Sequence, residues 1–395
     1  MIRSRVGSPV SGENFFDRES EQRQLWEYLH GDDVLLLAPR RVGKTSLMYR
    51  LRDTAGSRGV EAAFLSVAGA EDEVGFVRKL FEAVSSLSSA SDILKRLRKG
   101  PVGRLMKRFK KLSLLEFGIE LGEGDPWEEL GAALTEALDR HQGRRLVLID
   151  EVPVFILKLL RKDPSGDRAR QFLSWFRDLR QHPDRQGRLR WLLAGSIGLD
   201  TVAARLRLGD TINDLYLVHL GPFDRETARR LLRQLSAAYT FPMPEGVLEH
   251  ALDRIGWLIP YYLQLLFREL RTFCNERDVD ADVAAVDRVF DDLLSPSKKG
   301  YFDFWRQRLH DELGQPDAGL AILILNAAAA DPAGAPRSAM EQLLAERIQE
   351  PEARRHRLRY LLDVLVNDGY LVEDGRRYRY RSPLLREFWL RRVVP

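Results

Sequence analysis

The stretch LLLAPRRVGKTSL, residues 35–47, is the feature that most constrains how this chain can fold. Aliphatic residues run into a short loop of one proline, two arginines and one glycine, and a Lys-Thr pair opens a segment with helical periodicity. A strand, a tight loop and a helix in this order direct backbone N–H groups and the positive end of the helix dipole at an anion. The stretch therefore predicts a phosphate-binding unit of an α/β protein with a parallel sheet.

The loop follows the pattern G-x-x-x-x-G-K-[ST] except at its first position, where Ala38 replaces glycine. In this pattern the lysine reaches the β and γ phosphates of a nucleotide and the hydroxyl binds Mg²⁺, so ATP and Mg²⁺ are the predicted cofactors. Alanine adopts a positive φ less readily than glycine, so we expect weakened rather than abolished nucleotide binding. The predicted nucleotide-binding residues of the loop are Ala38, Pro39, Arg40, Arg41, Val42, Gly43, Lys44, Thr45 and Ser46.

A second motif, LVLIDE at residues 146–151, supplies carboxylates for the same site. Its apolar part has the pattern of a buried strand, which would deliver Asp150 and Glu151 at the sheet edge where open α/β folds bind ligands. Asp150 and Thr45 are the predicted magnesium ligands, and Glu151 is predicted to orient or deprotonate the attacking water. The alternative for the acid pair is helix capping. Lys44, Asp150, Glu151 and Ser196 are the predicted catalytic residues, although Ser196, at the end of the strand LRWLLAG, could equally form a turn.

The order of elements predicts three domains. Apolar strands alternate with helices up to about Pro222, which indicates a P-loop NTPase core with a parallel sheet over residues 13–222. A helical lid domain is predicted at 223–295, and three helices followed by two strands around Asp374-Gly375 predict a C-terminal winged-helix domain at 301–395. Residues 112–125 could form a β-hairpin within the core.

Composition excludes several other classes of site. The single cysteine, Cys274, rules out an internal disulfide and a cysteine metal site. The seven histidines show no H-E-x-x-H pattern, and no serine lies in a G-x-S-x-G motif. No apolar run approaches the roughly 18 residues of a membrane span, and the N-terminus lacks the apolar core of a secretion signal. We therefore expect a cytoplasmic protein that does not engage a membrane.

Positive charge is concentrated in two islands, although the formal net charge is only +4. Residues 93–115 hold nine Lys or Arg and no acid, and residues 352–392 hold eleven Arg against six acids. Such islands predict contact with a polyanion, with solvated surface as the alternative. The predicted nucleic-acid residues are Lys107, Arg108, Lys110, Lys111, Arg354, Arg355, Arg357, Arg359, Arg376, Arg377 and Arg379. Double-stranded DNA is the favoured partner because a winged helix reads a duplex with its third helix and its wing, but such modules also dock proteins.

Six blocks in order, FFDRESEQRQL, APRRVGKTSL, LVLIDE, LLAGSIGL, LGPF and GWLIPYYLQLL, resemble the archaeal-type ATPase family, a branch of the AAA+/STAND P-loop ATPases similar in layout to origin-recognition initiators. The resemblance implies an ATP-dependent switch whose nucleotide lies between an α/β core and a helical lid. It places Phe16, Asp17 and Arg18 near the adenine, and Pro260 and Tyr261 near the nucleotide from the lid.

Two functions remain open at the level of sequence. One is a slow ATPase that associates with DNA; the other is a STAND-type signalling ATPase whose winged helix docks a protein. The sequence does not decide whether the chain forms homo-oligomers.

Overall fold

The computed structural model describes residues 2–99, 126–195, 203 and 208–394. The chain divides into two compact units. The core unit comprises Arg18–Leu37 and Lys44–Leu220, and the C-terminal unit comprises Met1–Asp17, Ala38–Gly43 and Gly221–Pro395. The phosphate loop is thereby shared: Lys44 and Thr45 belong to the core unit, and the six residues before them to the C-terminal unit.

The core unit is a five-stranded parallel sheet with helices, as the sequence predicts. The strands are β1 (Asp33–Leu37), β2 (Val60–Ser66), β3 (Arg144–Asp150), β4 (Leu189–Gly195) and β5 (Leu215–His219). They lie in the order β2-β3-β4-β1-β5, with every neighbouring pair parallel. The helices are α1 (Glu19–Gly31), α2 (Lys44–Ala55), α3 (Glu73–Ser85), α4 (Ala90–Lys99), α5 (Trp127–Arg140), α6 (Val152–Lys162) and α7 (Asp167–Gln181).

The sheet order brings the two predicted motifs to one edge. Strand β4 lies between β1, which leads into the phosphate loop, and β3, which ends at Asp150. All five residues of β1 are buried, because a central parallel strand is covered on both faces. Parallel strands present their carboxyl ends on the same side, so Asp150 and the start of α2 meet at that edge. The prediction of an α/β fold with a parallel sheet is confirmed.

An aromatic cluster fills the core unit beside the sheet. Phe76 of α3 meets Phe155 of α6 and Phe172 of α7 with ring centroids 5.4 and 4.8 Å apart. Gly131 of α5 lies directly under Trp175, where a Cβ atom would come within 2.4 Å of the indole. Four helices, α3, α5, α6 and α7, are thus packed against one another in the core unit.

Helix α6 was not predicted from the sequence. Its residues, VPVFILKLLRK, continue the apolar run of β3, so periodicity does not separate strand from helix. The break is made by Glu151, whose φ of 63° places it in the left-handed region. The predicted hairpin at 112–125 lies outside the described residues.

The C-terminal unit is mainly helical and ends in a small sheet. Its helices are α8 (Arg225–Ala238), α9 (Glu245–Ile255), α10 (Pro260–Arg277), α11 (Val283–Leu293), α12 (Asp303–Leu313), α13 (Asp317–Ala330), α14 (Arg337–Ala345), α15 (Pro351–Asn367) and α16 (Pro383–Arg392). Its strands, β6 (Ala335–Pro336), β7 (Leu371–Asp374) and β8 (Arg377–Tyr380), pair antiparallel in the order β6-β8-β7. The three helices and two strands expected after residue 317 are present, and β6 and α16 are additional.

Buried polar contacts join the lid helices to the C-terminal helices within this unit. Trp305 donates its indole N–H to the Tyr262 hydroxyl at 3.1 Å, and the Tyr370 hydroxyl donates to the Trp305 carbonyl at 2.6 Å. Arg308 and Asp368 form an ion pair at 3.3 Å with both side chains 2% exposed. The boundary between a lid domain and a winged-helix domain stays a prediction, since both segments belong to one compact unit. Among the helices in the described ranges, none combines the length and apolar character needed to cross a bilayer.

Candidate functional site

Lys44, Thr45, Asp150 and Glu151, predicted as one constellation, lie in direct contact in the core unit. The Lys44 ammonium lies 2.8 Å from Asp150 Oδ1 and 3.2 Å from Glu151 Oε1. Thr45 donates its hydroxyl to Asp150 Oδ2 at 2.7 Å. The residues come from the start of α2 and the end of β3, which are far apart in sequence and adjacent at the sheet edge.

The environment of Lys44 keeps its ammonium charged. The side chain is only 6% exposed, and burial alone would lower its pKa. The negative charges of Glu151 and Asp150, with their hydrogen bonds, outweigh burial, so the pKa of Lys44 is raised above its usual value. The site therefore holds a fixed positive charge at the end of a helix that begins with Lys44, an arrangement suited to a polyanion.

The oxygen atoms beside Lys44 fit a magnesium ion. Thr45 Oγ1 and Asp150 Oδ2 are hard oxygen donors held 2.7 Å apart, and Mg²⁺ prefers one or two such protein ligands completed by water and phosphate. In the part of the chain that the structure describes, no group of three His, Cys, Asp or Glu residues could form an all-protein metal cage. This donor set matches a metal that arrives with a nucleotide.

Glu151 occupies the N-cap position of α6 in a left-handed conformation, which costs backbone energy for a residue other than glycine. Its side chain makes no capping hydrogen bond and instead contacts Lys44. Asp150 Oδ1 accepts a hydrogen bond from the Glu151 amide at 2.9 Å. The capping alternative for the acid pair is thus not what the structure shows: the strained turn aims the Glu151 carboxylate at the lysine.

The first part of the phosphate loop is held within the C-terminal unit by Arg41. Its guanidinium lies 4.6 Å from the ring centroid of Tyr261 and 4.7 Å from that of Phe304, and it donates to the Gly7 carbonyl at 2.8 Å. Each cation–π contact contributes roughly 0.5–2 kcal/mol, depending on how far it is removed from water. Arg40 also lies over Phe304, at 5.3 Å. Tyr261 follows Pro260 at the start of α10, so both predicted lid residues lie beside this loop segment.

The loop backbone explains why an alanine is accepted at its first position. Positive φ angles fall on Arg41, at 69°, and Gly43, at 98°, and not on Ala38. The expected strain at Ala38 is therefore absent. Pro39, next in the loop, packs near Gly369, where an added Cβ would come within 2.9 Å of Pro39 and 2.7 Å of Trp257.

The three residues expected near the adenine have well-defined surroundings. Phe16 packs edge-on against Phe223 at 5.9 Å, and Arg230 lies over its ring at 5.7 Å while pairing with Asp17. Arg18, in the core unit, is 6% exposed with a φ of 70° and pairs with Glu21 at 2.5 Å. Their role toward a nucleotide stays a prediction.

Several predicted residues fall outside the described ranges. Ser196 follows the last described residue of β4, and Lys107, Arg108, Lys110 and Lys111 lie in the undescribed stretch between α4 and α5. The roles assigned to these five residues stay predictions.

The alternating arginines and tyrosines of β8 suggest an exposed aromatic and basic surface, but the hairpin β7–β8 does not present one. Tyr378 and Tyr380 are only 6% and 4% exposed, so they belong to the interior. Arg377 pairs with Asp331 at 2.9 Å and donates to the Ala333 carbonyl at 3.1 Å, and Arg379 pairs with Asp374 at 3.3 Å. Arg376 is exposed at the turn. Most of the hairpin's positive charge is thus paired locally.

Sequence reasoning missed the aromatic and arginine contacts that hold the loop and the N-terminal segment. Phe304 and Arg230 lie in unrelated helices, and no local pattern links Phe304 to Arg41 or Arg230 to Asp17. The sequence contains one indication of these contacts, the pair of arginines inside the loop, which the phosphate-binding motif itself does not require.

Comparisons with known proteins agree with this geometry. Residues 34–202 match the family described as an AAA domain. A Walker-type ATPase of Pyrococcus abyssi is similar in structure with a TM-score of 0.61 and 22% identity, over 96% of this chain and 97% of that one. The ORC2 protein of Aeropyrum pernix gives a TM-score of 0.52 at 16% identity, over 96% of each chain. No curated protein matches the chain significantly.

The AAA domain contains the phosphate loop, the acid pair and β4, and its presence supports ATP binding. The matched structures extend over nearly the whole chain, so the similarity of fold includes the helices after the core. The predicted AAA type of ATPase domain is confirmed for residues 34–202, and the two solved structures show that nearly the whole chain has a similar fold.

Proposed function

We propose that the protein is a magnesium-dependent ATPase that associates with duplex DNA through its C-terminal residues. The observation that carries the ATPase part is the contact of Lys44 with Asp150 and Glu151 at the end of a buried strand, beside the Thr45 hydroxyl. The matched structures add support, since one is described as a Walker-type ATPase and the other as ADPNP–ADP complexes.

Each side chain has a distinct task in the proposed reaction. Lys44 is positively charged and buried, so it binds the β and γ phosphates and stabilises negative charge that builds up during transfer. Thr45 and Asp150 would hold Mg²⁺, which when bound neutralises phosphate charge. Glu151, whose side chain is 26% exposed and does not cap α6, orients the attacking water and accepts its proton.

The test separates binding from hydrolysis. The Glu151→Gln variant should bind Mg-ATP in calorimetry with the affinity of the parent while its phosphate release falls by about 10²- to 10⁴-fold, the usual contribution of a general base. Glu129→Gln, an exposed carboxylate on α5, is the matched control and should release phosphate like the parent. Normal turnover in Glu151→Gln would remove Glu151 from the mechanism, and no heat from the parent would remove the ATPase proposal.

The DNA part of the proposal is supported by the C-terminal element order and by exposed arginine. Three helices, α13, α14 and α15, precede the hairpin β7–β8, which is the order of a winged helix. Arg355 and Arg359 are exposed on α15, the helix that would approach a duplex.

Fluorescence anisotropy with a labelled duplex should show binding that weakens steeply as salt rises, because bound phosphates release counterions. A parent protein that binds Mg-ATP but no duplex at low salt would leave the signalling alternative, in which this module docks a protein.

A further inference from the structure

The C-terminal unit contains a basic groove of about 750 Å³, and the hairpin β7–β8 contributes no residue to its lining. It is formed by the starts of α13, α14 and α15 and by the connection between α14 and α15. Five arginines and two glutamates line it, together with apolar residues that include Leu320 and Ile348. A groove lined by guanidinium groups and apolar side chains is suited to a chain of phosphates on a ribose or deoxyribose backbone.

The arginines of this region fall into two sets. One set is held by nearby acceptors. Arg357 pairs with both oxygens of Asp317, at 2.7 and 2.8 Å, and the carboxylate is 3% exposed. Arg354 donates to the Ile348 carbonyl at 3.2 Å and lies 3.9 Å from Glu341. These side chains join helices of the unit, and a ligand would have to break those contacts to use them.

The second set consists of Arg337, Arg347, Arg355 and Arg359, all lining the groove. Across the residues that the structure describes, no carboxylate lies within 4 Å of these four guanidinium groups. Arg347, Arg355 and Arg359 are exposed, and Arg337 is half-buried. Arg355 and Arg359 are four residues apart and therefore share one face of α15.

The two glutamates of the groove offset only part of this charge. Glu350 accepts a hydrogen bond from the Ala353 amide at 2.6 Å, and its pKa is lowered by that bond and the bond from the Glu352 amide. Its carboxylate is thus committed to capping α15. Four arginines without ion-pair partners thus face two glutamates, which leaves the groove with an excess of positive charge.

We infer that Arg337, Arg347, Arg355 and Arg359, here called the groove arginines, contact the phosphate backbone of duplex DNA. Arg377 and Arg379 of the hairpin, which pair with Asp331 and Asp374, do not. This inference rests on the proposed DNA association. It assigns two residues, Arg337 and Arg347, that the charge pattern of the sequence did not single out. It also removes Arg354 and Arg357 from the contact set.

The experiment compares double variants of equal charge change. Arg355→Gln/Arg359→Gln and Arg337→Gln/Arg347→Gln should each weaken duplex binding by on the order of tenfold at low salt and lower the log–log salt slope by about 2, as expected for two lost phosphate contacts. Arg377→Gln/Arg379→Gln should keep the slope of the parent. Because Arg377 also fixes the turn before β6, a thermal melt verifies folding. Arg379→Gln alone, which leaves the contacts of Arg377 in place, is the second hairpin control.

The outcomes separate the inference from the function on which it rests. If the parent binds duplex and the hairpin variants lose the salt slope while the groove variants keep it, the inference is overturned and DNA association stands. If the parent binds no duplex at low salt, both fail, while Mg-ATP calorimetry still reports on the ATPase. Equal competition by poly-L-glutamate and by unlabelled duplex at matched charge would overturn the assignment to nucleic acid and point to an acidic protein.

Discussion

The phosphate loop with its acid pair and the arginine-rich C-terminal segment are both regions of dense charge, yet they are organised in opposite ways. In the loop region the charged and hydroxyl residues of the motifs meet one another: Lys44 meets Asp150 and Glu151, and Thr45 meets Asp150. In the C-terminal segment, adjacent residues such as Arg354 and Arg355 differ, one tied to backbone and carboxylate and the other exposed. The spacing of motif residues predicts function where a strand and a loop fix the backbone around them. The backbone around a run of arginines is not constrained in this way, so the run does not show which side chains are paired.

Of the substitutions that test this comparison, Lys44→Met has the largest expected effect. In Lys44→Met the acid pair loses its cation and the phosphates lose theirs, so we expect Mg-ATP affinity to fall by about 100-fold or more, equivalent to about 2.7 kcal/mol. Calorimetry measures this directly. Arg52→Met, a partly exposed position later in the same helix, is the control and should bind like the parent. Equal Mg-ATP affinities of the parent, Lys44→Met and Arg52→Met would contradict the view that contacts among the motif residues form the nucleotide site.

A buried pair outside any motif provides the next test. Asp368→Ala would leave the Arg308 charge buried without its carboxylate, and breaking such a pair costs about 3–5 kcal/mol. Urea unfolding should show this loss. In Asp374→Ala the partner, Arg379, has a side chain that is 42% exposed, so we expect a change of less than about 1 kcal/mol. Similar losses for both variants would mean that burial does not distinguish structural from surface arginine in this unit.

Arg41 sharpens the comparison, because it lies in the phosphate loop but is held by aromatic rings from outside the motif. Arg41→Met should lower Mg-ATP affinity by about 3- to 30-fold, since roughly 0.5–2 kcal/mol of cation–π contact keeps the loop in place. Phe304→Leu, which leaves the loop sequence unchanged, should lower affinity in the same direction. The double variant should be no worse than Arg41→Met alone; additive losses would show that Phe304 acts independently of the loop.

The smallest expected effect concerns Tyr378 in the hairpin. Burial, followed by its hydrogen bond to Glu373, raises the pKa of Tyr378 to about 12. Above pH 10 the unfolded chain ionises this phenol while the folded chain keeps it neutral, so folded-state stability falls as the pH rises from 10 toward 12. In Tyr378→Phe this loss is absent, and urea unfolding at pH 9 and pH 11 should show a pH dependence weaker by about 1 kcal/mol or less. An unchanged pH dependence would place Tyr378 in solvent.

Much of the fold followed from local patterns. The five strands, the helices of the lid and the hairpin around Asp374-Gly375 were predictable because turns, caps and apolar periodicity mark them. Helix α6 was not, because its apolar residues continue those of β3 and only the left-handed Glu151 separates the two.

The candidate site shows the same division. Lys44 and Thr45 could be identified because a strand–loop–helix unit imposes their spacing, and Asp150 and Glu151 because they end the apolar pattern of a buried strand. The contacts of Arg41 with Phe304, or of Arg357 with Asp317, depend on which helices pack together. Nothing within a single stretch of sequence records such long-range packing, so the distinction between committed and available arginines required the structure.

Gly369 has a consequence for engineering this chain. Its φ of 88° and the close approach of Pro39 and Trp257 leave no room for a side chain. Anyone grafting a foreign C-terminal module onto this ATPase would have to carry these three positions together, because a single methyl group at the graft would press on the second residue of the nucleotide loop. Success of the graft would then depend on steric fit at this one turn rather than on the linker that precedes the module.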